Sequence, residues 1–257
     1  MQSPPAMFEL NALQWVLLLA GSALVGLSKT GIAGLGILTV AVFANVLPAR
    51  ESTGVLLPLL ICGDVVAVAM YRRHAVWLHL WKLCPWVAAG VTLGFFAMAR
   101  MRDAHLFQHV IGGILLAMVA IHIWRKRAPA LPGAADDIPR RWWFSALAGV
   151  MAGFTTMVAN AAGPVMILYM LAMRLPKMEF MGTGAWFFLA VNLFKVPFSY
   201  RLDLITPASL ALDLRLAGLV LAGALLGRLI IGRINQNLFE ILALAFTILA
   251  ALRMLIA

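Results

Sequence analysis

Long apolar segments separated by short polar interruptions make up most of the chain. A membrane-spanning helix needs about 20 apolar residues. Six segments approach this length, and they cover residues 54–71, 83–99, 106–124, 183–200, 214–231 and 237–256. This pattern predicts a polytopic membrane protein made of helices.

Two further apolar regions, residues 12–47 and 142–173, are too long for a single crossing at about 1.5 Å per residue. Each is interrupted by glycine and small polar residues, at 26–36 and at 153–164. The arms beside each interruption are short for full spans. We therefore expect two helical hairpins whose arms meet inside the membrane, with two short complete spans as the alternative.

The composition excludes soluble classes of protein. The 257 residues are 63% hydrophobic and 12% charged, whereas soluble domains are about 45–50% apolar and about 25% charged. The net charge of +10 comes from cations in short loops, where it indicates orientation in the bilayer and not nucleic-acid binding. Cys62 and Cys84 lie in apolar stretches, which argues against a disulfide framework and a metal cluster. We expect no cofactor.

A sequence repeat relates the two halves of the chain. A shift of 128 residues pairs Gly54 with Gly182 and Pro48 with Pro176, and it also superimposes three pairs of arginines, Arg73/Arg201, Arg100/Arg228 and Arg125/Arg253. Chance gives only about 0.4 arginine matches at any one offset, so the repeat is a duplication.

The duplication predicts the topology. Each half contains one interrupted pair, which returns the chain to its starting side, and then three crossings. Because three is odd, the halves must be inverted relative to each other. The fold class we predict is an all-α polytopic membrane protein with two inverted-topology repeats. Each repeat is a broken or re-entrant helical hairpin plus three transmembrane helices, giving about eight to ten apparent transmembrane segments. The first repeat covers 1–124, a linker 125–141, and the second repeat 142–257.

Lysine and arginine residues set the expected orientation. Twelve lie on the side of the linker and six on the other side. The positive-inside rule therefore puts the linker in the cytoplasm and both termini outside.

The two interruptions are the best candidates for a binding site. Irregular backbone at membrane depth is tolerated only where protein or a water-filled cavity satisfies it, and paired breaks in two repeats mark transporter sites. Free N–H groups at the start of a second arm attract anions. The candidate residues that bind a small anion are Ser28, Lys29, Thr30, Gly31 and Gly34 in the first break and Thr155, Thr156, Asn160 and Gly163 in the second. The alternative is that these small residues only allow close helix packing.

Asp64 is the only carboxylate deep in a predicted span, and Asn192 is its counterpart under the repeat. A membrane acid has either a cationic partner or a role in proton transfer. Lys29 and Lys195 are the candidate partners, and coupling of transport to protons by Asp64 is the other hypothesis. Lys195 lies on the same helix face as Asn192, so we include both in the candidate anion site, with snorkelling of Lys195 as the alternative.

The motifs resemble those of the sulfite exporter TauE/SafE family, in the toluene-sulfonate uptake permease superfamily. The first-half signature is Gly26-Leu27-Ser28-Lys29-Thr30-Gly31-Ile32-Ala33-Gly34-Leu35-Gly36, followed by Gly54 to Asp64 and Tyr71-Arg72-Arg73. The second-half block is Gly153-Phe154-Thr155-Thr156 to Gly163-Pro164, then Phe180-Met181-Gly182-Thr183 to Asn192 and Lys195. The resemblance implies a bacterial inner-membrane transporter of sulfite, sulfoacetate or other organosulfonates. The sequence departs from symmetry at Met157, which stands where the shift places the partner of Lys29.

We therefore expect a carrier that works by alternating access around a midplane anion site. We favour export, because a membrane potential negative inside drives anions outward; ion-coupled uptake is the alternative direction. A membrane-embedded enzyme needs a nucleophile with a base, a metal set or paired carboxylates, and the sequence offers none of these. A non-transporting scaffold has no use for a buried lysine. The expected partners are the anion and the lipid bilayer, with no nucleic acid, and a homo-oligomer is left open.

Overall fold

A computed structural model gives the fold and describes residues 10–100, 120 and 142–256. These residues form α-helices and one short 3₁₀ helix, Arg72–His74, and no strand occurs among them. The α-helices are α1 (Ala12–Thr30), α2 (Gly36–Val46), α3 (Ala49–Tyr71), α4 (Trp77–Arg100), α5 (Trp142–Ala159), α6 (Ala162–Ala172), α7 (Lys177–Arg201), α8 (Pro207–Ile231) and α9 (Gln236–Ile256). The all-helical fold class is confirmed. The predicted span 106–124, apart from residue 120, and the whole predicted linker 125–141 lie outside the described residues.

Local sequence signals start several of these helices. Asn11 caps α1 in a reciprocal capping box with Gln14, and Thr206 caps α8 in the same way with Ser209. Such caps satisfy N–H groups that have no partner inside the helix. Pro48 and Pro176 stand at the N-cap positions of α3 and α7. The two halves thus begin their third helix with the same residue at equivalent positions.

In each break, one residue has a left-handed backbone conformation. Gly34 has a φ of 96° between α1 and α2, and Asn160 has a φ of 51° between α5 and α6. Glycine adopts this conformation without a steric penalty, and asparagine tolerates it better than most residues. The breaks therefore occur where the sequence predicted them.

The arms of each broken pair differ in length, which corrects one expectation. The first arms, α1 and α5, have 19 and 18 residues and are long and apolar enough to cross a membrane. The prediction that both arms are short is therefore wrong for these helices. The second arms, α2 and α6, have 11 residues each, or about 16 Å, roughly half of the hydrocarbon thickness.

Glycines allow the closest packing between the halves. Helix α1 runs parallel to α8, where a side-chain carbon on Gly26 would overlap the Val220 carbonyl oxygen. Helix α4 runs parallel to α5 in the same manner, with Gly90 against the Val150 carbonyl. Because α1 corresponds to α5 and α8 to α4 under the 128-residue shift, these are equivalent contacts.

The central helices α3 and α7 also correspond to each other, and they run antiparallel. Gly54, near the start of α3, packs against the Leu204 backbone just after α7, whereas Gly182, near the start of α7, packs against the backbone of Tyr71 and His74 at the end of α3. Gly54 and Gly182 are themselves 128 residues apart. The same close contact thus occurs at both ends of the central pair.

Candidate functional site

A cavity of about 90 Å³ lies between the two helix breaks and the central helices α3 and α7. Polar side chains from both halves contribute to its wall, namely Ser28, Lys29, Asp64, Thr156, Asn160 and Asn192. Apolar side chains form much of the remainder, among them Ile37, Leu60, Ile167, Met170, Phe180, Met181 and Phe188. The two interruptions of the sequence therefore meet at one cavity.

Asp64 is fully buried in this wall and is held by donors from both halves of the chain. The Lys29 ammonium lies 2.7 Å from Asp64 Oδ1. The Asn192 side-chain amide donates a hydrogen bond of 2.7 Å to Asp64 Oδ2. A buried ion pair is tolerated when further hydrogen bonds support it, and here the Asn192 amide bonds to the carboxylate oxygen that Lys29 does not pair with. Of the two pairing partners left open by the sequence, the structure selects Lys29.

Lys29 also contacts an aromatic ring from the other half. Its ammonium lies 4.4 Å from the centroid of the Phe188 ring on α7, within the range of a cation–π interaction. The ammonium at the end of α1 is thus in contact with both central helices, through Asp64 on α3 and Phe188 on α7.

Lys195 lies behind the cavity wall and is almost completely buried, at 2% exposure. Its ammonium donates to the Thr156 carbonyl oxygen at 2.7 Å and to the Thr156 hydroxyl at 3.2 Å. A third bond goes to the Asn160 side-chain oxygen. All three acceptors are neutral, and no carboxylate forms a salt bridge with Lys195 among the described residues. Thr156 and Asn160 of the second break thus bind the Lys195 ammonium, but they carry no negative charge that would compensate it.

The end of α5 explains why a lysine fits at this position. Thr156 is one of the last four residues of α5, whose carbonyl groups lack a partner within the helix. A cation near a helix C-terminus is stabilised by these carbonyls and by the helix dipole. Asn160 is oriented by a further hydrogen bond, 3.0 Å long, from its side-chain amide to the Thr53 carbonyl oxygen of α3. The second break is therefore fixed to both central helices.

Some backbone N–H groups at the first break already have hydrogen-bond acceptors, so they are less available to a ligand than the N–H groups of an uncapped helix end. In the first break the N–H groups of Leu35 and Ile37 bond to carbonyl oxygens of Ile32 and Gly34 at 3.4 and 3.3 Å. Gly163, the second residue of α6, lines the cavity, and a side-chain carbon built on it would meet no atom within 4 Å. The open space beside Gly163 belongs to the cavity.

Most of the candidate residues from the sequence lie together at the cavity. The wall contains Ser28, Lys29, Gly34, Asp64, Thr156, Asn160, Gly163 and Asn192.

Three other candidates support the breaks from outside the wall. The Thr30 hydroxyl donates to the Ala224 carbonyl oxygen at 2.6 Å, and Gly31 packs against the backbone of Gly227. The Thr155 hydroxyl bonds back to the Ala152 carbonyl oxygen at 3.3 Å.

The sequence reasoning did not single out Phe188 or the other apolar wall residues. Phe188 lies four residues before Asn192, so it shares a helix face with a residue that was selected. That spacing is the one signal that could have identified it. Met170 and Met181 have no comparable signal, because apolar residues in a span look alike whichever surface they face.

The described residues offer no metal site. No group of three or more histidine, cysteine, aspartate or glutamate side chains could hold a metal ion among them. Cys62 and Cys84 are both free thiols. The ionisable groups at the cavity are thus Lys29 and Asp64, with Lys195 behind its wall.

Comparison with protein families gives a match over nearly the whole chain. The model of the family described as "Sulfite exporter TauE/SafE" matches residues 18–254. The chain belongs to this family, which is a family of membrane transporters. No curated protein and no solved structure matches the chain in the corresponding comparisons.

Proposed function

We propose that this transporter exports a small sulfur-containing anion, such as sulfite, sulfoacetate or another short organosulfonate, across the bacterial inner membrane. The observation that carries the proposal is the cavity to which both breaks and both central helices contribute. Polar groups from two halves converging on one volume are what a carrier needs around its substrate. The family match supports the sulfur oxyanion class.

The charges around the cavity favour an anion. Asp64 compensates Lys29 in an ion pair, while Lys195 is bound only by neutral oxygens. With both lysines protonated and Asp64 ionised, this group carries a net positive charge of one. An anion beside Thr156 and Asn160 would compensate Lys195, and charge-assisted hydrogen bonds to its oxygens would be among the stronger ones available.

The cavity volume limits the size of the substrate. About 90 Å³ holds roughly six to nine water-sized groups at about 10–15 Å³ each. Sulfite and sulfoacetate suit this volume better than an aromatic sulfonate does. We therefore expect short anions to be preferred.

In the proposed site, the anion would contact further residues of the cavity wall besides Lys29, namely Ser28, Gly34, Gly163 and Asn192. In this proposal Thr30, Gly31 and Thr155 position the breaks, as their contacts with neighbouring backbone suggest.

Alternating access would come from rocking of two inverted halves around the cavity. The antiparallel course of the equivalent helices α3 and α7 supports this inversion, as does the equivalence of the α1–α8 and α4–α5 contacts. Export requires no coupling ion, because a potential negative inside favours anion exit by about 2.3 kcal/mol per charge per 100 mV.

Asp64 is the candidate for coupling if protons take part. Its protonation would release Lys29, which could then bind the anion. Replacement Asp64→Asn removes this step, so a variant whose transport kept the full pH dependence of the wild type would argue against coupling by Asp64.

Flux from proteoliposomes tests the proposal. Vesicles are loaded separately with sulfite, sulfoacetate, sulfate, taurine and benzenesulfonate, and an inside-negative potential is imposed. We expect efflux of sulfite or sulfoacetate that increases with the potential and little efflux of benzenesulfonate. Efflux of every anion at the rate of protein-free vesicles would contradict the proposal.

A further inference from the structure

Asp213 is a buried carboxyl group outside the wall of the central cavity, and it has no partner among the residues that the structure describes. It lies in α8 at 5% exposure. Neither of its carboxylate oxygens has a hydrogen-bond partner, and no salt bridge to it occurs among the described residues. By contrast, buried Asp64 forms an ion pair with Lys29 through one oxygen and accepts a hydrogen bond from Asn192 through the other. Asp213 is not part of the site described above, since it does not line the cavity.

The position of Asp213 on α8 directs it into the protein. The other buried residues of α8 are mostly three or four positions apart, and all except Ser209 are apolar or glycine. They are Ser209, Leu212, Leu216, Val220, Gly223, Ala224, Gly227 and Ile231. Asp213 falls in this series, one residue after Leu212 and seven before Val220. Asp213 therefore lies on the face of α8 that packs against the rest of the protein.

Helix register identifies what surrounds it. Val220 lies against Gly26 of α1 and against Gly63 of α3. Helix α8 runs parallel to α1, and its contacts with α3, Val220 against Gly63 and Arg228 over the Tyr71 ring, follow the same direction. A step of seven residues back from Val220 therefore brings Asp213 level with Leu19 on α1 and Leu56 on α3. Leu18, Leu56, Leu212 and Leu216 belong to one buried apolar cluster. Asp213 is thus buried where α8 packs on α1 and α3, next in sequence to Leu212 of this cluster.

Other ionisable groups on these helices leave Asp213 without compensation. Helix α1 has none before Lys29, and α3 has Arg50 and Glu51 in its first turn and then Asp64. Arg215 and Arg228, on α8 itself, are exposed. A carboxylate without a partner in hydrocarbon is strongly disfavoured, so the group stays neutral unless water reaches it. A cation would need several further ligands, and no group of three or more His, Cys, Asp or Glu side chains that could hold one occurs among the described residues.

We propose that Asp213 is a proton-binding site, separate from the anion cavity, that keeps its proton while α1, α3 and α8 are packed together and releases it when this interface opens to water. Asp213 lies about 9 Å along α8 from Pro207, near the end that the orientation expected from the sequence places outside. Opening of that end would hydrate the carboxyl group. Its participation in the transport cycle rests on the proposed function, but the proton site itself does not.

Carbodiimide labelling of the wild-type protein in membranes tests the site directly. Dicyclohexylcarbodiimide partitions into bilayers, where the O–H of a protonated carboxyl adds across one C=N bond and the product rearranges to a stable N-acylurea. We expect label on the Asp213 peptide at pH 7. A water-soluble carbodiimide should leave Asp213 unmodified and react with Asp203, which is exposed in the turn after α7. No label on a detected Asp213 peptide, or equal labelling by both reagents, overturns the proposal.

The pH dependence of stability gives a second, independent test. The folded protein holds the proton on Asp213, whereas the unfolded chain loses it at any pH above the ordinary aspartate pKa of about 3.9. Above that pH, this one group should therefore raise the unfolding equilibrium constant about tenfold per pH unit. We compare the unfolding equilibrium constants of the wild type and of Asp213→Asn in detergent between pH 5 and 7. The wild-type constant should rise with pH by this factor relative to that of the variant. A stability difference that does not change with pH overturns the proposal. Neither test measures transport, so failure of the proton site and failure of anion export are distinguishable.

Discussion

Asp64 and Asn192 are 128 residues apart, which is the offset of the sequence repeat, and they are joined by a hydrogen bond of 2.7 Å. Under a two-fold relationship, a residue can contact its own counterpart only close to the axis. If such an axis relates the halves, it passes through the cavity wall. The substrate site and the symmetry element would then coincide.

This relationship accounts for the chemical difference between the two residues. An exact repeat would put two aspartates in contact, and two carboxylates in one site disfavour ionisation of both. An amide opposite the acid instead donates a hydrogen bond to it. The same departure from symmetry appears at Lys29, whose counterpart is Met157, and Lys29 is the residue that pairs with Asp64.

The ion pair predicts strong coupling between two substitutions. Asp64→Asn leaves the Lys29 ammonium without its counter-charge, and Lys29→Met leaves the Asp64 carboxylate with the Asn192 hydrogen bond but without a cation. Each single change should lower the free energy of unfolding by about 3–5 kcal/mol, since breaking a buried pair leaves an uncompensated charge. The double variant should lose less than the sum. Chemical unfolding in detergent measures all three, and strictly additive losses would show that the pair contributes little.

Lys195 should matter for anion binding as well as for stability. Lys195→Met removes the donor to the Asn160 side-chain oxygen, at about 1–3 kcal/mol of stability, while the Thr156 carbonyl oxygen keeps its bond from the Asn160 backbone N–H. It also removes the uncompensated positive charge. We expect the KM for the exported anion to rise at least tenfold.

Lys177 provides the matched control for that experiment. Its ammonium donates to the Ile231 and Ile234 carbonyl oxygens at the end of α8, and it lies outside the cavity wall. Lys177→Met should lower stability and leave the KM unchanged. Equal effects of both variants on KM would mean that Lys195 acts only on stability.

Close helix packing should be equally demanding in both halves. Gly26→Ala pushes a methyl group against the Val220 carbonyl, and Gly153→Ala pushes one against the Val87 carbonyl. Each should lower the free energy of unfolding by about 1–3 kcal/mol, the range for overpacking. Gly218→Ala is the control, because nothing lies within 4 Å of the added carbon, and it should stabilise α8 slightly. Thermal unfolding of the three variants provides the comparison.

The expected orientation can be checked with topology reporters. The cation distribution predicts that residues 125–141 are cytoplasmic and that both termini are outside. A reporter active only in the cytoplasm should work when inserted in this segment and fail when fused after residue 257. The reverse pattern would invert the orientation of every helix.

The sequence was sufficient to predict the helical class, the two breaks and most polar residues of the cavity wall. These features depend on strong local signals: apolar length, glycine at turns and the rarity of polar groups in spans. Asp64 could be selected because an acid in a span is unusual. The residues Gly34 and Asn160 lie at the turns for the same local reasons.

Other features required three-dimensional information. The sequence left Lys29 and Lys195 as equal candidates to pair with Asp64, because the choice depends on how α1 and α7 pack against α3. Thr30 and Thr155 point away from the cavity, and neighbouring residues of a break cannot be separated by spacing alone. The unequal arms of the broken pairs were missed because the polar interruption hides how far α1 and α5 continue.

A single added methyl group tests most directly whether the anion occupies the cavity between the breaks. Gly163→Ala places a carbon beside the cavity where no atom lies within 4 Å, and Gly218→Ala adds the same carbon in open space away from the cavity wall. Both variants should fold as well as the wild type. Sulfite or sulfoacetate efflux from proteoliposomes is measured for each across a range of concentrations. We expect the KM to rise several-fold for Gly163→Ala and to stay at the wild-type value for Gly218→Ala. An unchanged KM for both variants would contradict binding of the anion in this cavity.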